Sequence, residues 1–450
     1  MKKIQISDHF SALTILLFSL PSIGMQLVDN TYQMADGYFI SNYIGASAFA
    51  AENLIFPPML VTAGVGLMFG SGAAALISYA LGEGDREMAN QYLSLTVAAL
   101  AALGTLISLL FFFLMPVIAS AVGAPEELIP QCVEYGRILA LCMPFQILNS
   151  AFYPLLITAG RPGLGFLVSV VNASVNIVFD WFTVAVLGWG LTGAALATGL
   201  AWFVSAAIPL AYFSSPHRGF PTDREHPLHF APLRWNGKYL LQTGYNGSSE
   251  MADSISYALI AMLFNGQLIR FAGEAGVDAY AVSEYVDGIF TAIFFGIAMS
   301  ITPVVGYHLG EKNREELRSI WRNGFLVTGA LGLGMAAISY AFAPQIARIF
   351  VGYDQELTAM SVEAMRIIAF SYILSGATTF SSAFFTGMED GTASLLVAAA
   401  KSFVLPLIGL LTLPPFFGQM GIWAVMPVAE IAALGLVIFF FARYRKQGKL

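Results

Sequence analysis

Acidic and amide side chains interrupt several strongly apolar stretches of this sequence. Asn172, Asn176 and Asp180 follow one another at intervals of four residues, so they lie on one face of a helix. Asp29 and Asp36 are seven residues apart and also share a helical face. Desolvation disfavours the charged form of a carboxyl, so such a group in a partly dry cavity can exchange a proton or hold a cation. Both patterns therefore indicate ion or substrate handling at membrane depth.

The second half of the chain carries further ionisable residues inside apolar stretches. They are Glu250, Asp253, Glu284, Asp287, Lys401 and Glu430. A purely structural explanation is also open, in which an acid at a helix end reaches the membrane interface or pairs with Lys401. For Asp29, Asp253 and Asp287 the structural and the functional explanation stay equally open. The structural explanation is weaker for Asp180, which follows two asparagines deep in an apolar segment.

Twelve apolar segments supply the helices that hold these residues. The chain of 450 residues is 57% hydrophobic and only 11% charged, a composition that excludes a large water-soluble protein. A helix needs about 20 apolar residues to cross the ~30 Å hydrocarbon layer. The predicted spans are 10–35, 46–79, 92–114, 128–158, 163–187, 191–213, 240–264, 279–308, 320–342, 361–385, 392–413 and 421–442. We therefore predict an all-α integral membrane protein with twelve transmembrane helices that contact the lipid bilayer.

An internal repeat divides the predicted spans into two six-helix bundles. An offset of 228 residues aligns Tyr79 with Tyr307, Gly82-Glu83 with Gly310-Glu311, Arg86-Glu87 with Arg314-Glu315, Pro116 with Pro344, Thr158 with Thr386 and Gly190 with Gly418. Because each half holds an even number of spans, the bundles should be related by a pseudo-two-fold axis along the membrane normal. The predicted domains are the N-terminal bundle at 1–213, a linker at 214–238 and the C-terminal bundle at 239–450.

The distribution of basic residues predicts the orientation in the membrane. Of the 21 lysines and arginines, sixteen lie at the termini or in the connections after spans 2, 4, 6 and 8. Basic connections stay on the cytoplasmic side of a membrane. We therefore predict a multi-pass protein of the cytoplasmic (inner) membrane with both termini and the linker in the cytoplasm.

Missing or misplaced motifs exclude several other functions. The chain has no GxxxxGK[ST] for ATP, no HExxH or GxSxG for enzymatic hydrolysis, and at a net charge of −7 no basic face for nucleic acid. The linker histidines His217, His226 and His229, beside Asp223 and Glu225, are interpreted as part of a solvated connection and not as a metal site. We expect no enzymatic activity, no cofactor and no metal, so transport would draw on a proton or sodium gradient.

The order and spacing of several motifs resemble the multidrug and toxic compound extrusion family. The motifs are Gly82-Glu-Gly-Asp-Arg-Glu, Gly310-Glu-Lys-Asn-Arg-Glu, Ala50-Ala-Glu-Asn after Asp36, Asn176-Ile-Val-Phe-Asp180, Gly193-Ala-Ala-Leu-Ala-Thr198 and Gly421-Ile-Trp. The phrase Asn246-Gly-Ser-Ser-Glu250 looks like a bacterial subgroup of that family. The resemblance covers nearly the whole chain.

This resemblance implies a secondary antiporter that exports bulky, often cationic or aromatic drug-like compounds in exchange for protons or sodium ions. The family's cation site in the N-terminal half falls on Asp36, Tyr135, Asn176, Asp180 and Thr198 of this sequence. Tyr135 is placed by spacing alone.

The second half departs from this pattern. The 228-residue offset places Val404 and Ile408 where Asn176 and Asp180 stand in the first half, so ion coupling should reside in the first half. Sodium-coupled members also use acids in spans 7 and 10. Span 10 offers only Glu363, and Arg366 stands three residues later as a candidate ion-pair partner. We therefore expect proton coupling.

A second-half substrate or ion site stays a candidate, as do two other kinds of transporter. The candidate residues of that site are Glu250, Asp253 and Glu284. Sodium-coupled drug antiport is one alternative function. A lipid or lipid-linked oligosaccharide flippase of the same superfamily is another, although it would need a cationic cavity, and the spans hold more acids than bases.

Overall fold

Twelve helices account for nearly all of the described chain. The computed structural model describes residues 4–214 and 228–448, and no strand occurs within these ranges. The helices are α1 (Ala12–Ile44), α2 (Ala46–Gly82), α3 (Arg86–Ala121), α4 (Ile129–Thr158), α5 (Pro162–Val186), α6 (Gly190–Ser214), α7 (Gly237–Asn246), α8 (Ser248–Gly310), α9 (Arg314–Val351), α10 (Gln355–Gly387), α11 (Gly391–Phe417) and α12 (Gln419–Lys446). The predicted all-α class is confirmed.

Eleven of the described helices are long and apolar enough to cross a membrane, and one of them does so twice. The 63-residue α8 is interrupted at Gly273, whose φ of 67° and ψ of −163° lie in a region that only glycine enters readily. The two parts, 248–272 and 274–310, are each long enough to span the hydrocarbon layer. The chain therefore has the twelve predicted transmembrane helices.

The predicted start of span 7 at residue 240 is wrong. Residues 237–246 form the separate short helix α7, and the membrane helix begins only at Ser248. The physical reason is that α7 packs on α3, where the centroids of the Tyr239 and Tyr92 rings lie 3.8 Å apart in a stacked arrangement. The Tyr239 hydroxyl also lies 2.7 Å from the Thr96 hydroxyl. The apolar and aromatic residues from 240 to 246 thus belong to a separate short helix and not to the span.

The contacts of the described chain define two compact units, Gly24–Gly247 and Met1–Ile23 with Ser248–Leu450. The N-terminal residues join the second unit through α9, because the Phe10 amide donates to Glu316 Oε1 (2.8 Å) and the Asn323 amide donates to the Phe10 carbonyl (3.0 Å). His9 Nδ1 lies 2.7 Å from Glu316 Oε2. This division differs from the domains 1–213 and 239–450, which stay predictions.

The 228-residue repeat recurs in the local backbone. Asp85 caps α3 by accepting from the Met88 amide (2.9 Å), and Asn313 caps α9 by accepting from the Glu316 amide (3.1 Å). Backbone torsions with positive φ also recur at offset positions, in the pairs Gly45 and Gly273, Gly84 and Lys312, and Gly190 and Gly418. The two halves therefore share turn geometry as well as sequence.

The described end of the linker is fastened to α3. The His229 amide donates to Asn90 Oδ1 (3.0 Å), and the Ala231 amide donates to Ser94 Oγ (2.8 Å). The other linker residues considered as metal ligands, His217, His226, Asp223 and Glu225, lie outside the described residues. Within the described ranges, no group of three or more His, Cys, Asp or Glu side chains could hold a metal ion.

Candidate cation site

Close packing of α2 against α4 positions the first part of the site. A Cβ added at Gly66 would lie 2.2 Å from the Ile147 carbonyl oxygen, and one at Gly70 would lie 2.7 Å from the Ala151 Cα. Only glycine allows the two backbones to approach this closely, which is how small residues act in membrane helices. The same packing brings Glu52 of α2 and Tyr135 of α4 towards one another.

Three carboxyl groups meet inside the Gly24–Gly247 unit. Asp36 of α1 and Asp180 of α5 are only 6% and 0% exposed. The Asp36 carboxyl lies within hydrogen-bonding reach of both Asp180 and Glu52. We call Asp36, Glu52 and Asp180 the carboxyl cluster.

Four of the six oxygens of the carboxyl cluster have no donor among the described residues. Asp36 Oδ1, both oxygens of Asp180 and Glu52 Oε2 are buried and have no hydrogen-bond partner among the described residues. Two carboxylates cannot hydrogen-bond to each other unless one of them carries a proton. A buried carboxylate that has no donor is costly. A proton shared between two of these carboxyls would supply the missing donor.

The asparagine stripe of α5 faces α6, as the four-residue spacing predicts. Asn176 Nδ2 donates to Thr198 Oγ1 over 3.1 Å, and Ser205 Oγ donates to Asn172 Oδ1 over 3.2 Å. Both asparagines are buried, and Asn176 Oδ1 has no partner among the described residues. One amide oxygen is thus left as a further ligand for a cation or a proton donor.

Widened helical turns follow both aspartates. A π-helical segment at Ile40–Ile44 begins one turn after Asp36, and another at Trp181–Val186 begins directly after Asp180. The Gly45 amide bonds to the Ile40 carbonyl, and the Leu187 amide bonds to the Phe182 carbonyl, each five residues back. Such π turns are frequent at functional sites. Both helices therefore change their winding next to the carboxyl cluster.

Aromatic residues surround the carboxyl cluster. Tyr135, 4% exposed, interacts electrostatically with all three carboxyls. Tyr32 of α1 lies within hydrogen-bonding reach of Trp202 and Asn172. The structure thus gathers all five residues predicted for the N-terminal cation site, which are Asp36, Tyr135, Asn176, Asp180 and Thr198, in one unit. Their role stays a prediction.

Three residues of this surrounding were not predicted, namely Tyr32, Glu52 and Trp202. Tyr32 stands four residues before Asp36 on the same helical face, so the spacing alone could have identified it. Glu52 is an acid in an apolar helix and carries the same signal as Asp36. Trp202 gives no such signal, because its place depends on how α6 packs against α1.

Asp29 has a hydrogen-bond partner outside the carboxyl cluster. Its Oδ1 accepts from the Tyr153 hydroxyl over 3.4 Å, and Tyr153 in turn accepts from Asn149 Nδ2 over 3.3 Å. Unlike the cluster, Asp29 therefore has a donor. This contact suits the structural explanation that the sequence left open for Asp29.

The second-half candidates lie in the other unit and separate into two groups. Asp253 accepts from the Ser402 hydroxyl over 2.5 Å and interacts electrostatically with Lys401. Glu284 of the same helix lies beside Asp287 and within hydrogen-bonding reach of the Tyr280 hydroxyl.

Two further residues link or flank these groups. Lys401 also interacts electrostatically with Asp287, which connects the two groups. Glu250 lies in the first turn of α8, one turn before Asp253. The role of Glu250, Asp253 and Glu284 as a second site stays a prediction.

A family model described as MatE matches residues 21–182 and 251–411, one segment in each repeat. The probable multidrug resistance protein YoeA of Bacillus subtilis is 24% identical over 445 residues, which cover 94% of this chain and 92% of that protein. The multidrug export protein MepA of Staphylococcus aureus is 21% identical over 430 residues, with the same coverage of 94% and 92%. The crystal structure of a MATE in complex with MaL6 has the same fold, with a TM-score of 0.90 and 22% identity over 100% of both chains.

Proposed function

Because the chain belongs to the multidrug and toxic compound extrusion (MATE) family, we propose that it is a cation-coupled multidrug antiporter that works by alternating access. Its substrates are bulky, often cationic or aromatic compounds. The names of YoeA and MepA, a multidrug resistance protein and a multidrug export protein, support this substrate class. The coupling ion is the proton.

The carboxyl cluster is the observation that carries this proposal. The Asp36 carboxyl lies within hydrogen-bonding reach of Asp180 and Glu52, and no described residue donates to the buried oxygens of Asp180. The charge of the cluster therefore depends on whether a proton is bound. When the proton leaves, the carboxylates repel each other and attract a cation. When a proton arrives, the charge and that attraction are lost. Exchange of a proton for a cationic compound follows from these two states.

The remaining site residues support binding and orientation. Asn176 is held by Thr198, and its free oxygen supplies a neutral ligand beside the aspartates. Tyr32 and Tyr135 interact electrostatically with the cluster, and Trp202 lies within hydrogen-bonding reach of Tyr32. The π faces of aromatic rings attract organic cations. Carboxyls beside aromatic rings suit compounds that are both cationic and aromatic.

The second unit supports proton coupling over sodium coupling. Lys401 already provides a positive charge next to Asp253 and Asp287, so these acids have less need of a metal cation. We propose that Glu250, Asp253 and Glu284 contribute to substrate binding in this unit. The flippase alternative is less well supported, because phosphate groups need cations, and the first-half site consists of carboxyls, amides and aromatic residues.

The proposed location is the cytoplasmic (inner) membrane, with both termini and the linker in the cytoplasm. Sixteen of the 21 basic residues support this orientation. Tags inserted in 214–238 and after residue 450 should be protected from protease in sealed cells. A tag between α9 and α10, near Gly352, is the matched control and should be accessible.

Vesicle transport assays with separately imposed gradients test the coupling. Purified protein is reconstituted, and export of a fluorescent organic cation is followed under a proton gradient alone, a sodium gradient alone, and neither. We expect the proton gradient alone to drive export and added sodium to change it little. Export that requires sodium at fixed pH would contradict proton coupling.

A further inference from the structure

One groove is lined by two arginines. Neither belongs to the sixteen basic residues at the predicted cytoplasmic side. Five of the 21 basic residues lie elsewhere, namely Arg137, Arg270, Arg348, Arg366 and Lys401. Arg348 of α9 and Arg366 of α10 both line a cavity of about 770 Å³ at the end where α9 stops and α10 begins. An adjoining cavity of about 380 Å³ continues past Arg366 along α10. Together we call these cavities the α9–α10 groove.

The two arginines lie on consecutive helices that run in opposite directions. Arg348 lies three residues before the end of α9, and Arg366 lies eleven residues into α10. Both side chains line the larger cavity of the groove.

Arg366 is incompletely satisfied by the protein. Its guanidinium carbon lies 5.0 Å from the centroid of the Tyr340 ring. Its Nε is buried and has no hydrogen-bond partner among the described residues. No ion pair of the described ranges joins it to Glu363, although Glu363 lines the same groove. A guanidinium carries five N–H donors, so a buried Nε without an acceptor indicates a missing ligand.

The depth of the groove corresponds to the lipid headgroup region. The 33 residues of α10 extend about 50 Å, so about 10 Å projects beyond each face of a centred ~30 Å hydrocarbon layer. The Arg366 Cα is then about 6 Å inside that layer, at 1.5 Å per residue from Gln355. An arginine side chain is long enough to reach the interface from this depth.

The walls of the groove suit acyl chains. Ile349 and Tyr353 are 79% and 83% exposed, and Phe350 and Phe370 are exposed as well. All four line the groove beside the arginines. An apolar surface next to paired guanidinium groups matches a molecule with a hydrocarbon tail and an anionic head.

We propose that the α9–α10 groove binds one anionic phospholipid, with its phosphodiester between Arg348 and Arg366. Arginine forks bind phosphate oxygens in pairs, which would satisfy the buried Nε of Arg366. Two arginines and Glu363 leave the groove with one net positive charge, which a phosphodiester with an uncharged headgroup neutralises. Glu363 then accepts from a headgroup hydroxyl, so a glycerol headgroup fits better than choline.

Native mass spectrometry and thermal unfolding of the full-length protein in detergent test this proposal. Phosphatidylglycerol and phosphatidylcholine are added separately at equal concentration. We expect more bound phosphatidylglycerol than phosphatidylcholine, and a larger rise in Tm with phosphatidylglycerol. Arg348→Gln with Arg366→Gln should remove this preference. Arg270→Gln is the matched control, because Arg270 is exposed, stacks on Phe271 in α8 and does not line the groove.

A second variant and a free-anion control complete the test. Arg348 is exposed, so Arg348→Gln alone should fold normally and still weaken the lipid preference, even where the double variant does not fold. Glycerol phosphate without acyl chains should give no rise in Tm. An unchanged lipid preference in the arginine variants would overturn the proposal, as would an equal rise with glycerol phosphate.

Discussion

Lys401 of α11 and Glu430 of α12 form an interhelical ion pair, and α10 supplies a hydrogen-bond partner for each of the two side chains. The Lys401 ammonium nitrogen lies 3.9 Å from Glu430 Oε1 and donates to Thr379 Oγ1 over 2.6 Å. The Thr378 hydroxyl donates to Glu430 Oε2 over 2.6 Å. Glu430 is only 3% exposed, so its charge depends on these partners. Three helices of the second unit are thereby joined by one polar network.

Removing the lysine alone should destabilise the protein. Lys401→Met leaves Glu430 buried without its counter-ion, which costs about 3 kcal/mol. Adding Glu430→Gln removes the unpaired charge of Glu430, so the double variant should recover part of the lost Tm. The rest of the loss reflects the interaction of Lys401 with Asp253 and Asp287. Thermal unfolding in detergent measures both variants. Equal Tm values for the single and the double variant would show that the pair does not stabilise the fold.

Neutral replacements of the clustered aspartates should abolish export and leave the fold intact. In Asp36→Asn and Asp180→Asn the amide imitates the protonated carboxyl in shape and charge, so expression and Tm should stay near normal. Gradient-driven export should fall close to that of empty vesicles. Asp29→Asn is the matched control and should be milder, because Asp29 has the Tyr153 hydroxyl as a donor. Near-normal export by both cluster variants would remove the first-half mechanism.

Binding of a cationic compound should strengthen as pH rises. Loss of the shared proton leaves negative charge at the cluster, which attracts the cation, whereas protonation at lower pH removes that attraction. Fluorescence binding across a pH series measures this slope in detergent. Asp180→Asn should flatten the slope while contacts with the aromatic rings preserve part of the affinity. A wild-type slope of opposite sign would exclude competition between proton and compound.

The hydrogen bond between Asn176 and Thr198 should contribute to stability and to export. Thr198→Ala removes the acceptor of Asn176 Nδ2 in a buried position, with an expected cost of about 1–3 kcal/mol. Thr198→Ser keeps the hydroxyl and serves as the control. The two variants are compared by Tm and by export at equal protein level. Identical behaviour of the two would show that the hydroxyl is dispensable.

The sequence alone predicts the features that follow from a pattern in the chain. Span length and the asparagine stripe of α5 depend on residues close together, and the repeat depends on one constant offset. The structure shows all three. The offset also reveals an asymmetry, because Val404 and Ile408 stand where the first half has Asn176 and Asp180. The sequence thus indicated that the polar sites of the two halves differ.

Features that depend on distant contacts could not be predicted. Phe10 joins the second unit through Glu316, 306 residues away, and no local pattern indicates this contact. Glu52 enters the site because α2 packs against α4 beside it, where Cys132 Sγ lies 3.9 Å from the Ala51 carbonyl oxygen. Arg366 was considered a partner for Glu363 from its spacing, but in the structure it stacks on Tyr340. In each case tertiary packing determined the partner.

The close approach of the three carboxyls also bears on the electrical balance of the proposed antiport. Carboxyl groups this close to one another titrate together. The number of protons taken up per transport cycle is therefore a property of the three carboxyls together and not of one aspartate. One proton exchanged for a monovalent cation moves no net charge. Two protons move one charge, and each charge that crosses about 100 mV contributes about 2.3 kcal/mol. The stoichiometry of the cluster therefore determines whether membrane voltage drives export together with the pH difference.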